Sequence, residues 1–305
     1  MRRDTLALFF RRAIVAALPL VAGCGPSPIG IPGPGPCGGA QSTWTVDGGL
    51  ADLGCDDKCA GVHTYTTGFC SETTNSAGQP IVECHQDCTG RRPAGLRAAM
   101  ARGDVLGRHF ARMAHLEAAS VPAFRRLRAE LRAHGAPKRL LDACTRAARD
   151  EVRHARAAAR LARRFGAAPP RVVVDAPAAR DLAAIAVENA REGCVRETFG
   201  ALVATWQARA AEDGEVRAVM TTLAADETRH AELSWEIDAW LRSRLAPAER
   251  ARVEEARRAE LAALASTLDA CADETLARAT GLPPPHVARA LHRTFAVEIA
   301  RRGAV

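Results

Sequence analysis

From residue 103 onward the chain carries apolar side chains three and four positions apart with charged residues between them, the period of amphipathic helices. Four such stretches are predicted over 103–134, 137–166, 177–212 and 214–243, punctuated by HGAPK, FGAAPPRVVVDAP, AEDGE and LAPAE. Two more follow over 247–278 and 284–301. Short joints set consecutive helices antiparallel, with one longer connection at 167–177. The predicted fold is therefore all-α: an antiparallel four-helix bundle over 100–245 with extra C-terminal helices over 246–305.

Upstream the pattern is different. MRRDTLALFFRR supplies a positive region, AIVAALPL an apolar one, and VAGC ends in small residues before Cys24. This resembles a bacterial lipoprotein signal peptide over 1–23. The resemblance implies cleavage before Cys24, a lipid on that cysteine and anchoring at the periplasmic face of the cell envelope. Gly25 replaces the Asp that marks inner-membrane retention in many such proteins, so the outer membrane is preferred. AIVAALPL is shorter than the roughly 20 residues a membrane-spanning helix needs. Residues 24–39, rich in Pro and Gly, read as a tether. Residues 40–90 read as a small cysteine-rich module. Cys37, Cys55, Cys59, Cys70, Cys84 and Cys88 crowd into this part of the chain, and in an oxidising compartment they are expected to form disulfides of open pairing. Zinc is the alternative, because CDDKCAGVH and CHQDC mix Cys with His63 and His85, but neither has C-x-x-C spacing. After Cys24 nine cysteines remain, so at least one is free or pairs between chains.

The helical stripes are apolar except at a few positions. On the first, Glu117 interrupts Leu106, Phe110, Met113, Val121, Phe124 and Leu131. On the second, Glu151 and His154 share a face with Leu140, Cys144, Ala147, Ala158, Leu161 and Phe165. The third carries Glu192 along Ile185, Val195, Phe199, Val203 and Trp206, with Glu188 and Glu197 as competing positions. The fourth carries Glu227 and His230 with Met220, Leu223 and Ile237, Leu233 and Trp235 lying slightly off the line. A carboxylate buried without a partner costs several kcal/mol, so core glutamates call for a cation. RDEVRH at 149–154 and ADETRH at 225–230 each follow a helix bearing a glutamate, 34 residues earlier in one copy and 35 in the other. One Glu from each of two helices and a Glu-x-x-His from each of the other two make the ligand set of a two-metal carboxylate site. Such ligands suit iron or manganese, although affinity alone does not exclude zinc. Asp150 and Asp226 are placed to accept the spare N–H of the histidines, and Arg153 and Arg229 to hold those aspartates.

These paired motifs resemble those of the ferritin-like di-iron carboxylate superfamily, and within it uncharacterised bacterial ferritin-like lipoproteins. The resemblance covers about residues 100 to 245. It implies a ferritin-like bundle and two iron ions, with manganese as the alternative, held by Glu117, Glu151, His154, Glu192, Glu227 and His230. It does not specify a substrate.

Composition narrows the chemistry. The net charge of +7 falls to +4 without residues 1–23, and the 42 basic residues, only Lys58 and Lys138 being lysine, are scattered among acids, so no nucleic-acid partner is implied. The single tyrosine, Tyr65, lies outside the bundle, which disfavours a tyrosyl radical, and without C-x-x-C pairs electrons must come from another protein. Cages are normally built from a bare bundle, so storage in a cage is disfavoured. His109, His115, His134, His286 and His292 are expected in surface roles, and Cys144 as a buried filler rather than a redox thiol. The expectation is a lipid-anchored di-metal protein, a candidate oxidoreductase acting with O2 or peroxide. The alternatives are iron oxidation and sequestration without turnover, or a structural or binding lipoprotein with a metal-free bundle. Whether two copies form a homodimer is left open.

Overall fold

The computed structural model describes residues 4–17, 42–45, 69–74, 80–85, 91, 93, 95–97, 99, 101–175, 180–265, 268 and 273–303. Cys24, Cys37, Cys55, Cys59, Cys88, Cys271 and the tether lie outside them. Three short strands, β1 (Ser42–Thr45), β2 (Phe69–Thr74) and β3 (Pro80–His85), form an antiparallel sheet in the order β1-β3-β2. Its register sets Cys70 opposite Cys84. Cys144 and Cys194 are free and buried.

From residue 105 onward the described elements are helical: α2 (Val105–Ala133), α3 (Lys138–Arg164), α4 (Leu182–Glu188), a π-helical segment (Asn189–Glu197), α5 (Thr198–Ala210), α6 (Gly214–Arg242), α7 (Pro247–Ala265), α8 (Glu274–Thr280) and α9 (Pro285–Gly303). α2 lies along α3, α5 along α6, and α3 meets α6 to join the two hairpins. Aspartates start the helices: Asp104, Asp181 and Asp213 each accept a backbone N–H from the first turn, which satisfies donors the helix leaves unpaired. Gly107 permits a close crossing, since a Cβ there would lie 2.4 Å from the Phe165 carbonyl oxygen.

One expectation changes. The helix predicted over 247–278 is divided into α7 and α8, because Asp273 caps a new start by accepting from the Leu276 amide. The C-terminal helices pack into the interior. Leu264, Val287, Leu291, Phe295 and Ile299 share one apolar cluster with Cys194, Phe199, Leu202 and Trp235. That cluster is closed by α1 (Asp4–Ala17), whose Leu6, Phe10, Ala13, Ile14 and Ala17 are buried while Arg11 and Arg12 face solvent. Burying the three large side chains of α1 contributes about 1.5–3 kcal/mol each. Among the described residues no helix is long and apolar enough to cross a membrane.

Before α2, Arg91 is buried, and Leu96 bridges Val174 in the long connection, where Arg97 pairs with Asp175. This brings the start of the helical body against the middle of it.

Candidate metal centre

The i, i+3 spacing turns Glu151 and His154 of α3, and Glu227 and His230 of α6, to the same interior face, where Glu117 of α2 meets them. One ligand atom from each of Glu117, Glu151, His154 and Glu227 lies within 4.8 Å of the others, so this cluster could hold a metal ion. His154 Nδ1 stands 3.2 Å from Glu227, 3.4 Å from Glu117 and 3.8 Å from Glu151. His230 Nδ1 stands 3.1 Å from Glu151 and 3.5 Å from Glu227. The two rings are 5.9 Å apart, with Glu151 and Glu227 facing both.

The outer nitrogens are held crosswise. His154 Nε2 is 3.0 Å from Asp226 and His230 Nε2 is 3.3 Å from Asp150, each histidine taking the aspartate of the other motif. Arg153 donates to Asp150 at 2.6 Å and to Asp226 at 3.0 Å. Arg229 donates to Asp226 and lies 3.5 Å from Asp150. The repeated Asp and Arg thus form one lattice tying α3 to α6. It directs the Nε2–H of each ring outward and turns Nδ1 inward to the carboxylates, where its proton is the one a bound cation would replace.

Both Nδ1 atoms, and Glu151 Oε2, are buried without a hydrogen-bond partner. Buried polar atoms of native proteins are normally satisfied, and His154 Nδ1 and Glu151 Oε2, 3.8 Å apart within the cluster, fit a cation. The electrostatics agree. Burial, together with the charges of Glu227 and Glu117, raises the Glu151 carboxyl well above its usual range. Glu227 is buried too, but His230 and His154 beside it draw it down to about 2. Burial alone would lower His154, yet Asp226, Glu117 and Glu227 together push it up to about 12. His230 is raised in the same way by Glu227, Asp150 and Glu151. Protons therefore stand in for the positive charge the carboxylates require.

The third helix departs from the expectation. Glu192 points to Arg196, 3.6 Å away, which also pairs with Glu260 of α7. Glu188 pairs with Arg180, which also holds Glu130. Glu197 is the carboxylate that reaches the interior: it feels the charges of His230 and Glu227 and lines the same cavity as Glu117 and Glu227. Its position follows from the π-helical turns of 189–197, which change the phase of the helix; such segments often mark functional sites. Equal lead spacing pointed to Glu192 because it assumed hairpins with equal arms. Glu197 stands about one turn nearer its joint than Glu117 does.

A second feature lies outside the helical periodicity, at Arg91. Arg91 is 1% exposed and donates from Nε to Glu197 Oε1 at 3.2 Å and from Nη2 to Asn189 at 2.9 Å. Ser234 donates to Glu197 Oε2 at 2.7 Å. Of the other histidines, His115 is buried rather than at the surface and lies 3.3 Å from the Pro170 carbonyl, and His134 lies 3.2 Å from that of Arg180. Burial pushes the Cys144 thiol up to about 11, so it stays protonated at neutral pH, consistent with a filler.

A cavity of about 260 Å³ opens onto the centre. Met113, Leu116, Val203, Met220 and Leu223 form apolar walls, His109, Arg112, Ser120 and Gln207 add polar lining, and Glu117, Glu197 and Glu227 are its acidic residues. No protein-family model, curated protein or solved structure matches the chain.

Proposed function

We propose that this is a lipid-anchored, ferritin-like protein whose four long helices hold a two-metal, iron-loaded centre for redox chemistry with O2 or peroxide. The observation that carries the reading is the pair of buried Nδ1 atoms without hydrogen bonds, fixed from behind by Asp226 and Asp150 and facing the same two carboxylates. His154 and His230 would each bind one metal through Nδ1, Glu151 and Glu227 would face both, and Glu117 and Glu197 would close the two ends. Iron bound there supplies electron transfer to O2 or peroxide that no protein side chain provides. The chain's own part is to fix the histidine tautomers, exclude water by burial and present the cavity. The apolar cavity beside the carboxylates supports turnover of a small substrate over simple sequestration. Residues 1–23 act as the leader and Cys24 as the lipid-bearing residue, holding the body at the periplasmic face of the envelope, with a separate protein as electron donor.

Metal analysis of the purified chain tests this directly: about two iron or manganese ions per chain are expected, lost in Glu151→Ala and His230→Ala while helicity persists. Metal-free protein from cells grown with ample iron would overturn it. O2 or peroxide consumption by the iron(II) form separates redox chemistry from passive binding. For the anchor, Cys24→Ala protein should leave the membrane fraction.

A further inference from the structure

Resting on the two-metal reading, we propose that Arg91 is a positioning residue that makes the two metal positions inequivalent: by occupying Glu197, it leaves the His154 position to fill first and the His230 position second. The His154 position has four ligand groups already converged, from Glu117, Glu151, His154 and Glu227. In the two-metal reading the His230 position draws on Glu197, which feels the charge of His230, and both oxygens of that carboxylate are engaged, Oε1 by Arg91 at 3.2 Å and Oε2 by Ser234 at 2.7 Å. Glu117, the corresponding carboxylate of the first hairpin, instead faces His154 Nδ1 and the cavity.

Arg91 is built into the interior. Its guanidinium donates to Asn189 and, at 3.3 Å, to Ser234, and lies 5.4 Å from the Phe124 ring, which also meets the His230 ring at 5.2 Å. Its carbonyl accepts from Ser120 at 2.9 Å, and its Nη1 has no hydrogen-bond partner. Space for it comes from Gly193, where a Cβ would stand 2.4 Å from Arg91 Nη2 and 2.5 Å from Ser234 Oγ. A cation entering the His230 position must take Glu197 from a buried, charge-assisted bond to Arg91, while Glu117, Glu151 and Glu227 at the His154 position already face the histidine.

The test is a Mn(II) titration of the metal-free full-length chain, followed by electron paramagnetic resonance. The expected course is one isolated bound ion, then a second at least about tenfold weaker whose arrival produces a spin-coupled signal. In Arg91→Met the two steps should merge to within about threefold, and Mn(II) should raise the melting temperature more than in the wild type, because the metal becomes the only counter-charge for Glu197. Arg91→Lys keeps the cation and should keep two steps. Ser234→Ala frees Oε2 without unpairing a charge and should move the second step the same way by a smaller factor, which keeps the test open if Arg91→Met does not fold. Two equal steps in the wild type, or a step ratio unmoved in both Arg91→Met and Ser234→Ala, would overturn the role of Arg91 and leave the two-metal reading standing. No Mn(II) binding at all would overturn that reading itself.

Discussion

Each interior histidine has two nitrogens with different tasks. Nε2 is spent on an aspartate, which leaves Nδ1 as the nitrogen that faces the carboxylates. Because the aspartates are exchanged between motifs, Asp226→Asn should loosen His154 and Asp150→Asn should loosen His230. Each should cost about 10–100-fold in metal affinity with unchanged helical circular dichroism. The protons in the metal-free centre set a pH dependence. His154 is raised from 6.5 to about 12, so the folded chain keeps a proton that the unfolded chain releases. That contribution to stability is complete below pH 6.5 and is lost as pH rises toward 12. Glu227, lowered from 4.5 to about 2, acts oppositely: its contribution is complete above pH 4.5 and lost as pH falls toward 2. A metal must displace the His154 proton, so affinity should rise with pH and binding should release protons. Calorimetric Mn(II) titrations in buffers of different ionisation enthalpy measure that release, and none at neutral pH would contradict the assignment.

At the scale of elements, the π-helical segment decides which carboxylate faces inward. Each added residue rotates the rest of the helix by about 100°, so a local change of helix type moves a side chain from one neighbour to another. Glu192 is directed to Arg196 and Glu197 to the interior. Glu197→Gln should therefore lower the bound metal from about two ions to about one, while Glu192→Gln should leave the count unchanged, both read by metal analysis. The reverse result would restore the choice made by spacing. The motif helices α3 and α6 carry no such change of phase, and there the periodic reading of Glu151, His154, Glu227 and His230 agrees with the placement.

Across the whole molecule, the interior of the helical body extends to both ends of the chain. α1 covers a face built from Phe199, Leu202, Trp235 and Phe295, so removal of a leader over 1–23 would uncover apolar surface. A chain starting at Cys24 should melt at lower temperature and bind more of an apolar dye than the full-length chain; equal values would show that α1 contributes little. By itself the sequence determined the local features: helices from an apolar period, and Glu-x-x-His pairs sharing one face from i, i+3 spacing repeated in two motifs. Both depend only on residues within a turn or two of each other. Tertiary structure alone decided the crossed aspartates, the choice of Glu197, the insertion of Arg91 beside Gly193 and the burial of α1. Those depend on the rotation and register of one helix against another, which small changes of helix type and hairpin length set and which apolar periodicity does not record.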